Sequence, residues 1–291
     1  NGDDGSALTT ARMACESAKD HGRDRIEVFD EGNQSIIRRY DDMQLVAEIQ
    51  QALDGEGFRL HAQKISSLNP GTSGPYYEIL LRMRDENDGI ISPALFIEAA
   101  ERYSITPSID RWVIRSAFRW LVSEADERER LILCSINLSG QSLGDEKCLP
   151  FVIDPFQVAG LDATKICFEI TETAAIASYS QANRFINALN ELGCKFALDD
   201  FGTGLSSFGY LKHFPVDYIK IDGSFVKEIL HDPIDREMVR SINEIGHLTG
   251  KQTIAEFAEN EEIITMLRGM GIDYAQGYGV SEPKRVTRAV A

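Results

Sequence analysis

From Phe58 onward the chain alternates short apolar runs with amphipathic stretches, and this alternation limits the available folds more than any other feature. The apolar runs Arg59–Ile65, Tyr76–Met83, Leu131–Leu138, Lys165–Thr171, Lys195–Asp199, Val216–Ile221, Gln252–Ala255 and Tyr274–Ala275 read as strands. Between most of them lie segments of helical spacing: Ala94–Arg102, Ile109–Glu124, Gln181–Leu192, Arg236–Thr249 and Glu261–Met270. Eight strands with intervening helices specify the α/β class and a (β/α)8 barrel. The competing arrangement, an open doubly wound sheet, calls for a glycine-rich phosphate loop after an early strand, and the sequence carries none.

A barrel collects its reactive residues at the C-terminal ends of the strands. Glu78 and Arg82 share one face of the second strand, Asn137 closes the third and Glu169 lies in the fourth. Asp199 and Asp200 close the fifth, Lys220 and Asp222 the sixth, while Glu256 and Gln276 follow the seventh and eighth. Singly, each has an ordinary structural role: a rim ion pair for Arg82, a helix cap for Asn137, a structural ion pair for Lys220. Jointly, several carboxylates around one mouth repel one another, and divalent cations resolve that cost.

The stretch Leu198-Asp199-Asp200-Phe201-Gly202-Thr203-Gly204 is by itself evenly balanced between a turn and a metal site. Neighbouring residues of a regular strand point to opposite faces, so both carboxylates reach one centre only where the strand unwinds. Carboxylates and an amide oxygen, without a set of His or Cys residues, suit Mg²⁺ or Mn²⁺ better than zinc. Two such ions about 4 Å apart can clamp a phosphodiester, activate water and stabilise a leaving oxygen.

The formal net charge of −16 argues against nonspecific binding of nucleic acid or anionic lipid, and no DNA or RNA partner is expected. No apolar run reaches membrane-spanning length and no signal peptide is visible at Asn1. The five cysteines are scattered without a CxxC pair, which reads as a reducing, cytoplasmic compartment without structural zinc.

Residues 1–35 do not read as the start of a domain. Thr10–Lys19 has helical spacing and ends near Gly22, and Arg25–Phe29 alternates like a strand, but one helix and one strand cannot bury a core. The piece reads as the end of an upstream domain, followed over 36–57 by a charged connector helix, with the barrel occupying 58–291.

Over about Asp42 to Val286 the sequence resembles the EAL-domain cyclic di-GMP phosphodiesterases. The motifs follow in order: Glu78-Ile79-Leu80-Leu81-Arg82, Asn137-Leu138-Ser139, Phe168-Glu169-Ile170-Thr171-Glu172, Asp199-Asp200-Phe201-Gly202-Thr203-Gly204, Tyr218-Ile219-Lys220-Ile221-Asp222, Ala255-Glu256 and Gln276-Gly277-Tyr278. The resemblance implies a modified, TIM-like (β/α)8 barrel whose first strand is antiparallel to its neighbours. It further implies hydrolysis of cyclic di-GMP to linear pGpG with two Mg²⁺ or Mn²⁺ ions, in a homodimer. By the same resemblance Glu78, Asn137, Glu169 and Asp199 hold one ion, and Asp199, Asp200 and Glu256 the second. Lys220 orients or deprotonates the attacking water with Gln276 nearby, and Glu172 braces the loop after the fifth strand. Arg82 holds phosphate, Gln63 contacts the nucleotide, and Asp222 is assigned to substrate binding.

Ala18-Lys19-Asp20-His21-Gly22-Arg23 and the strand after it resemble the end of a GGDEF (diguanylate cyclase) domain, implying such a partner upstream. Three departures stand out: Ile79 for Ala or Val, Lys64 for Pro after Gln63, and Phe257 for Gly after Glu256. If that glycine has positive φ, Phe257 alters the backbone beside Glu256. Lys64 and Phe257 motivate an alternative reading, a cyclic di-GMP receptor without catalysis. A protein-interaction module that neither binds nor cleaves the dinucleotide is a third.

Overall fold

The computed structural model describes residues 34–55, 57–69, 71, 74–85, 89–123, 129–203 and 209–286. All eight expected strands form: β1 (Phe58–Ser67), β2 (Tyr76–Arg84), β4 (Leu133–Asn137), β5 (Ile166–Thr171), β6 (Lys195–Phe201), β7 (Tyr218–Ile221), β8 (Gln252–Ala255) and β9 (Tyr274–Gln276). Two short additions, β3 (Ile90–Ile91) and β10 (Lys284–Arg285), pair with the edges of β2 and β1. Strands β2, β4, β5, β6, β7, β8 and β9 run parallel in that order. β1 is antiparallel to both β2 and β9 and thereby closes the ring, so the reversed first strand implied by the motifs is present.

The strands read so clearly because both of their faces are covered: Ile166, Cys167, Phe168, Glu169 and Ile170 of β5 are all buried. Side chains inside the barrel are layered. Ile65, Tyr76, Leu133, Cys167, Ala197, Ile254 and Tyr274 form one apolar plug, in which the Tyr76 ring lies 5.8 Å from Tyr274 and 6.0 Å from Tyr218. Two residues further along the same inward faces stand Glu78, Glu169, Asp199, Lys220, Glu256 and Gln276. The polar layer therefore rests on an apolar floor.

Outside the barrel, the helix Thr106–Ser123 buries Ile109, Val113, Ile114, Ala117, Phe118, Trp120 and Leu121 along one stripe. The other expected helices form at Pro93–Arg102, Tyr179–Asn190, Pro233–Leu248 and Glu261–Gly269. Others among the described residues were not anticipated: Gly140–Gly144, Cys148–Ala159, Glu172–Ala177 and Gly223–Lys227. Three of these are too short to show a period, and the longest carries Pro155 in its interior, which masks it.

The expected connector forms the helix Gln34–Asp54 and docks on the barrel's helical layer. It buries Ile49 and Ala52, and Asp42 pairs with Arg102. The helix and strand expected within residues 1–33, and Cys15, lie outside the described residues. Cys134, Cys148, Cys167 and Cys194 are buried free thiols. Among the described residues no helix is long and apolar enough to cross a membrane.

Candidate active site

Lys220, only 1 % exposed, is the centre of the polar layer. Its Nζ lies 2.6 Å from Glu169 Oε2, 2.8 Å from Glu256 Oε1, 3.0 Å from Asp199 Oδ1 and 3.5 Å from Glu78 Oε2. Burial works against the ammonium, but attraction to Asp199, Glu169, Glu256 and Glu78 overrides it and holds the lysine pKa well above its usual value. One cation cannot neutralise four carboxylates. Burial first, then repulsion by Glu78 and Asp199, outweighs the pull of Lys220 on Glu169 and pushes its carboxyl up to about 8. Burial also raises Glu256 well above the usual carboxylate range.

Glu78 remains the more acidic partner. Burial opposes its charge, yet Lys220 and hydrogen bonds from Gln276 and Asn137 bring its pKa below the ordinary value. Gln276 Nε2 donates to Glu78 Oε2 at 2.5 Å and to Gln63 Oε1 at 3.1 Å. Asn137 Nδ2 donates to Glu78 Oε1 at 2.6 Å, which leaves its amide oxygen as a spare donor atom for a cation.

The acidic pair after Leu198 reaches one centre by the unwinding that the sequence demands. The β6–β7 register shifts between Leu198 and Phe201, and Asp200 takes a left-handed φ of 54°. Asp199, Asp200 and Glu256 can then each offer an oxygen with all three within 4.8 Å of one another. Burial and the charges of Asp199 and Asp222 raise Asp200 to about 6. Among the described residues, buried Glu169 Oε1 and Gln276 Oε1 accept no hydrogen bond, and Asp199 Oδ1 has only its ion pair with Lys220. Orphaned oxygens in an all-oxygen cluster fit hard divalent cations.

Glu172 stands behind the mouth rather than in it. It begins the helix Glu172–Ala177 and is buried; its Oε2 accepts from Gly202 N at 3.1 Å and its Oε1 from the Tyr210 hydroxyl at 2.7 Å. Both ends of the loop after β6 are thus tied to one carboxylate. Gly204, the last residue of the acidic motif, lies outside the described residues.

A cavity of about 360 Å³ opens over the layer, lined by Gln63, Glu78, Arg82, Asp199, Lys220, Glu256 and Gln276 together with Phe257 and Tyr278. Gln63 lines it with its amide already engaged, donating to Ser281 O at 3.0 Å and accepting from Gln276. Asp222 is not among the lining residues. It caps the helix Gly223–Lys227, its Oδ1 accepting from Ser224 N at 2.8 Å, while its charge still acts on Asp200.

Phe257 carries the backbone consequence that its substitution for glycine suggests. Its φ is 50°, a left-handed conformation that costs a side-chain-bearing residue about 1–2 kcal/mol. Residues that sequence reasoning left without a role are Tyr210, whose link to Glu172 spans 38 positions, and Tyr278, named only within a motif and 68 % exposed.

Fold and donor set together define a TIM-like barrel with an all-oxygen cluster of the kind that holds hard divalent cations. Residues 46–283 match the EAL domain family, and the chain belongs to it. Cyclic di-GMP phosphodiesterase PdeB of Shewanella oneidensis is 39% identical over 277 residues, 95% of this chain and 32% of the relative. Cyclic di-GMP phosphodiesterase PdeF of Escherichia coli is 36% identical over 249 residues, 84% of this chain and 32% of the relative. The chain therefore spans about a third of the length of these curated relatives. Among solved structures, the FimX EAL domain from Pseudomonas aeruginosa bound to c-di-GMP superposes with a TM-score of 0.76 at 33% identity, covering 82% of this chain and 96% of that one.

Proposed function

We propose that this chain hydrolyses cyclic di-GMP to linear pGpG and so lowers signalling by this second messenger. The observation that carries the reading is the convergence of Glu78, Glu169, Asp199 and Glu256 on Lys220, with orphaned oxygens beside it. Relatives named cyclic di-GMP phosphodiesterases and a superposable domain bound to c-di-GMP support the substrate.

In this reading Glu78, Asn137, Glu169 and Asp199 would hold one divalent cation, Mg²⁺ or Mn²⁺, and Asp199, Asp200 and Glu256 a second. Bound there, the pair would supply a nucleophile from water at neutral pH and would neutralise charge on the phosphodiester oxygens. Glu78 is kept ionised and oriented by Gln276 and Asn137. Lys220, held protonated while the carboxylates face it, enters as a hydrogen-bond donor that orients the attacking water. It becomes a base only when those carboxylates turn away from it. Arg82, at the cavity wall, offers its guanidinium to a phosphate, and Gln63 borders the nucleotide. Glu172 keeps the β6 loop in place beside Asp200, and Asp222 tunes Asp200 across the rim.

A cyclic di-GMP receptor without turnover is the second reading, and the intact donor set weighs against it. The wider proposal includes a GGDEF-like domain closing within residues 1–35, a linking helix, a barrel from 58 onward, a cytoplasmic setting and a homodimer. Product analysis after incubation with cyclic di-GMP and Mg²⁺ or Mn²⁺ tests the activity. Intact dinucleotide that still binds would favour the receptor.

A further inference from the structure

We propose that Phe257 is a positioning residue: its ring, seated on Gly223, fixes Glu256 and so couples the carboxylate group Asp199–Asp200–Glu256 to the helix after Lys220. The inference rests on the cation-dependent reading of that carboxylate group.

Among the described residues Ser104, Asp200 and Phe257 are the non-glycine positions with positive φ. One of these is itself in the carboxylate group and another directly follows a member of it. A bulky residue keeps a left-handed backbone only where its surroundings over-determine it. Here they do so from three sides. Glu256 N donates to Ile221 O of β7 at 3.2 Å, and Ala258 N donates to Gln276 O of β9 at 2.8 Å, so the turn is stapled on both flanks with Phe257 between. The ring supplies the third hold. It lies so close to Gly223 that a Cβ there would stand 2.0 Å from Cδ2 and 2.6 Å from Cγ. Lys227 Nζ sits 4.1 Å from the ring centroid.

Gly223 and Lys227 begin and end the short helix that follows Lys220-Ile221-Asp222. Phe257 thus ties the turn after Glu256 to that helix, and the position of the helix becomes a condition on where the Glu256 carboxylate points. A glycine at 257 would reach the same φ without any such tie.

Mn²⁺ titration of the whole chain by calorimetry, with no substrate present, reads this coupling. Gly223→Ala pushes the ring off its seat and should weaken Mn²⁺ binding at the Asp199, Asp200 and Glu256 group by about tenfold or more, the usual scale for losing a ligand's support. Lys227→Ala, which removes only the cation on the ring, should weaken it by about twofold to fivefold. The double variant Gly223→Ala/Phe257→Gly removes both ring and clash and should recover only the part of the loss due to the clash, binding Mn²⁺ as Phe257→Gly alone does, about fivefold more weakly than the wild type. That rescue separates positioning from a general failure to fold. Gly223→Ala with unchanged Mn²⁺ binding, or an equal loss with and without Phe257, overturns the proposal. A wild-type chain that binds no Mn²⁺ overturns it together with the phosphodiesterase reading. One that binds Mn²⁺ but leaves cyclic di-GMP intact overturns the phosphodiesterase reading alone.

Discussion

Lys220 Nζ and Glu169 Oε2, both fully buried, stand 2.6 Å apart in the polar layer of the barrel, with Asp199, Glu256 and Glu78 arranged around the same ammonium. The lysine acts there as a built-in cation. It offsets part of a repulsion that would otherwise oppose the native arrangement, and it leaves an excess of negative charge for cations to meet.

Removing the two ends of this arrangement should give different signatures. Lys220→Ala removes the counter-charge from this acidic group and should cost the cation-free protein about 3 kcal/mol or more. Mn²⁺ should then raise its melting temperature more than it raises that of the wild type. Glu78→Ala should weaken Mn²⁺ binding instead. Both variants should lose turnover by at least about 100-fold. Calorimetry and thermal melts with and without Mn²⁺ check this, and equal Mn²⁺ affinity in the two variants would contradict the assigned roles.

The Glu172 brace makes a local claim. Tyr210→Phe deletes the 2.7 Å hydrogen bond to Oε1 and leaves Gly202 N bonded to Oε2, whereas Glu172→Ala deletes both. Hydrogen exchange at the Gly202 amide should accelerate strongly in Glu172→Ala and only slightly in Tyr210→Phe. A charge-assisted bond of this kind is worth about 1.5–3 kcal/mol. Equal protection of Gly202 in both variants would show that the loop is held from elsewhere.

Glu169 sets a pH dependence. Its folded pKa, raised to about 8 from an ordinary 4.5, means that the cation-free native state holds a proton that the unfolded chain has already released. Between these values the stability of the cation-free form should fall as pH rises. Binding of a cation at Glu169 requires that proton to leave. Affinity for the Mn²⁺ held by Glu169 should therefore rise with pH by up to about tenfold per unit and level off near pH 8. Calorimetry from pH 6 to 8.5 measures the slope, and an affinity flat across this range would remove Glu169 from the ligand set.

Much of this was legible in the sequence because of periodicity. Strands covered on both faces leave largely apolar runs, so Lys165–Thr171 and Lys195–Asp199 announce themselves. The spacing of two from Cys167 to Glu169, or from Tyr218 to Lys220, puts a polar layer directly above an apolar one. The adjacent acids Asp199 and Asp200 required a break in β6, although only the structure locates it, at the left-handed Asp200. The contact between Gln276 and Gln63 was not legible, since it joins residues 213 positions apart through the closure of β1 against β9. Nor was the helix Cys148–Ala159, whose internal proline disguises it. Phe257 is intermediate: the departure from glycine was visible, and its seat on Gly223 was not.

Chromatographic product analysis of cyclic di-GMP incubated with the purified chain, with Mg²⁺ or Mn²⁺ and again after chelation, reads the hydrolysis itself. Linear pGpG should form when the cation is present and not after chelation, with activity returning when cation is restored. Cyclic di-GMP left intact with both cations, or cleaved equally well in the presence of chelator, would contradict cation-dependent hydrolysis.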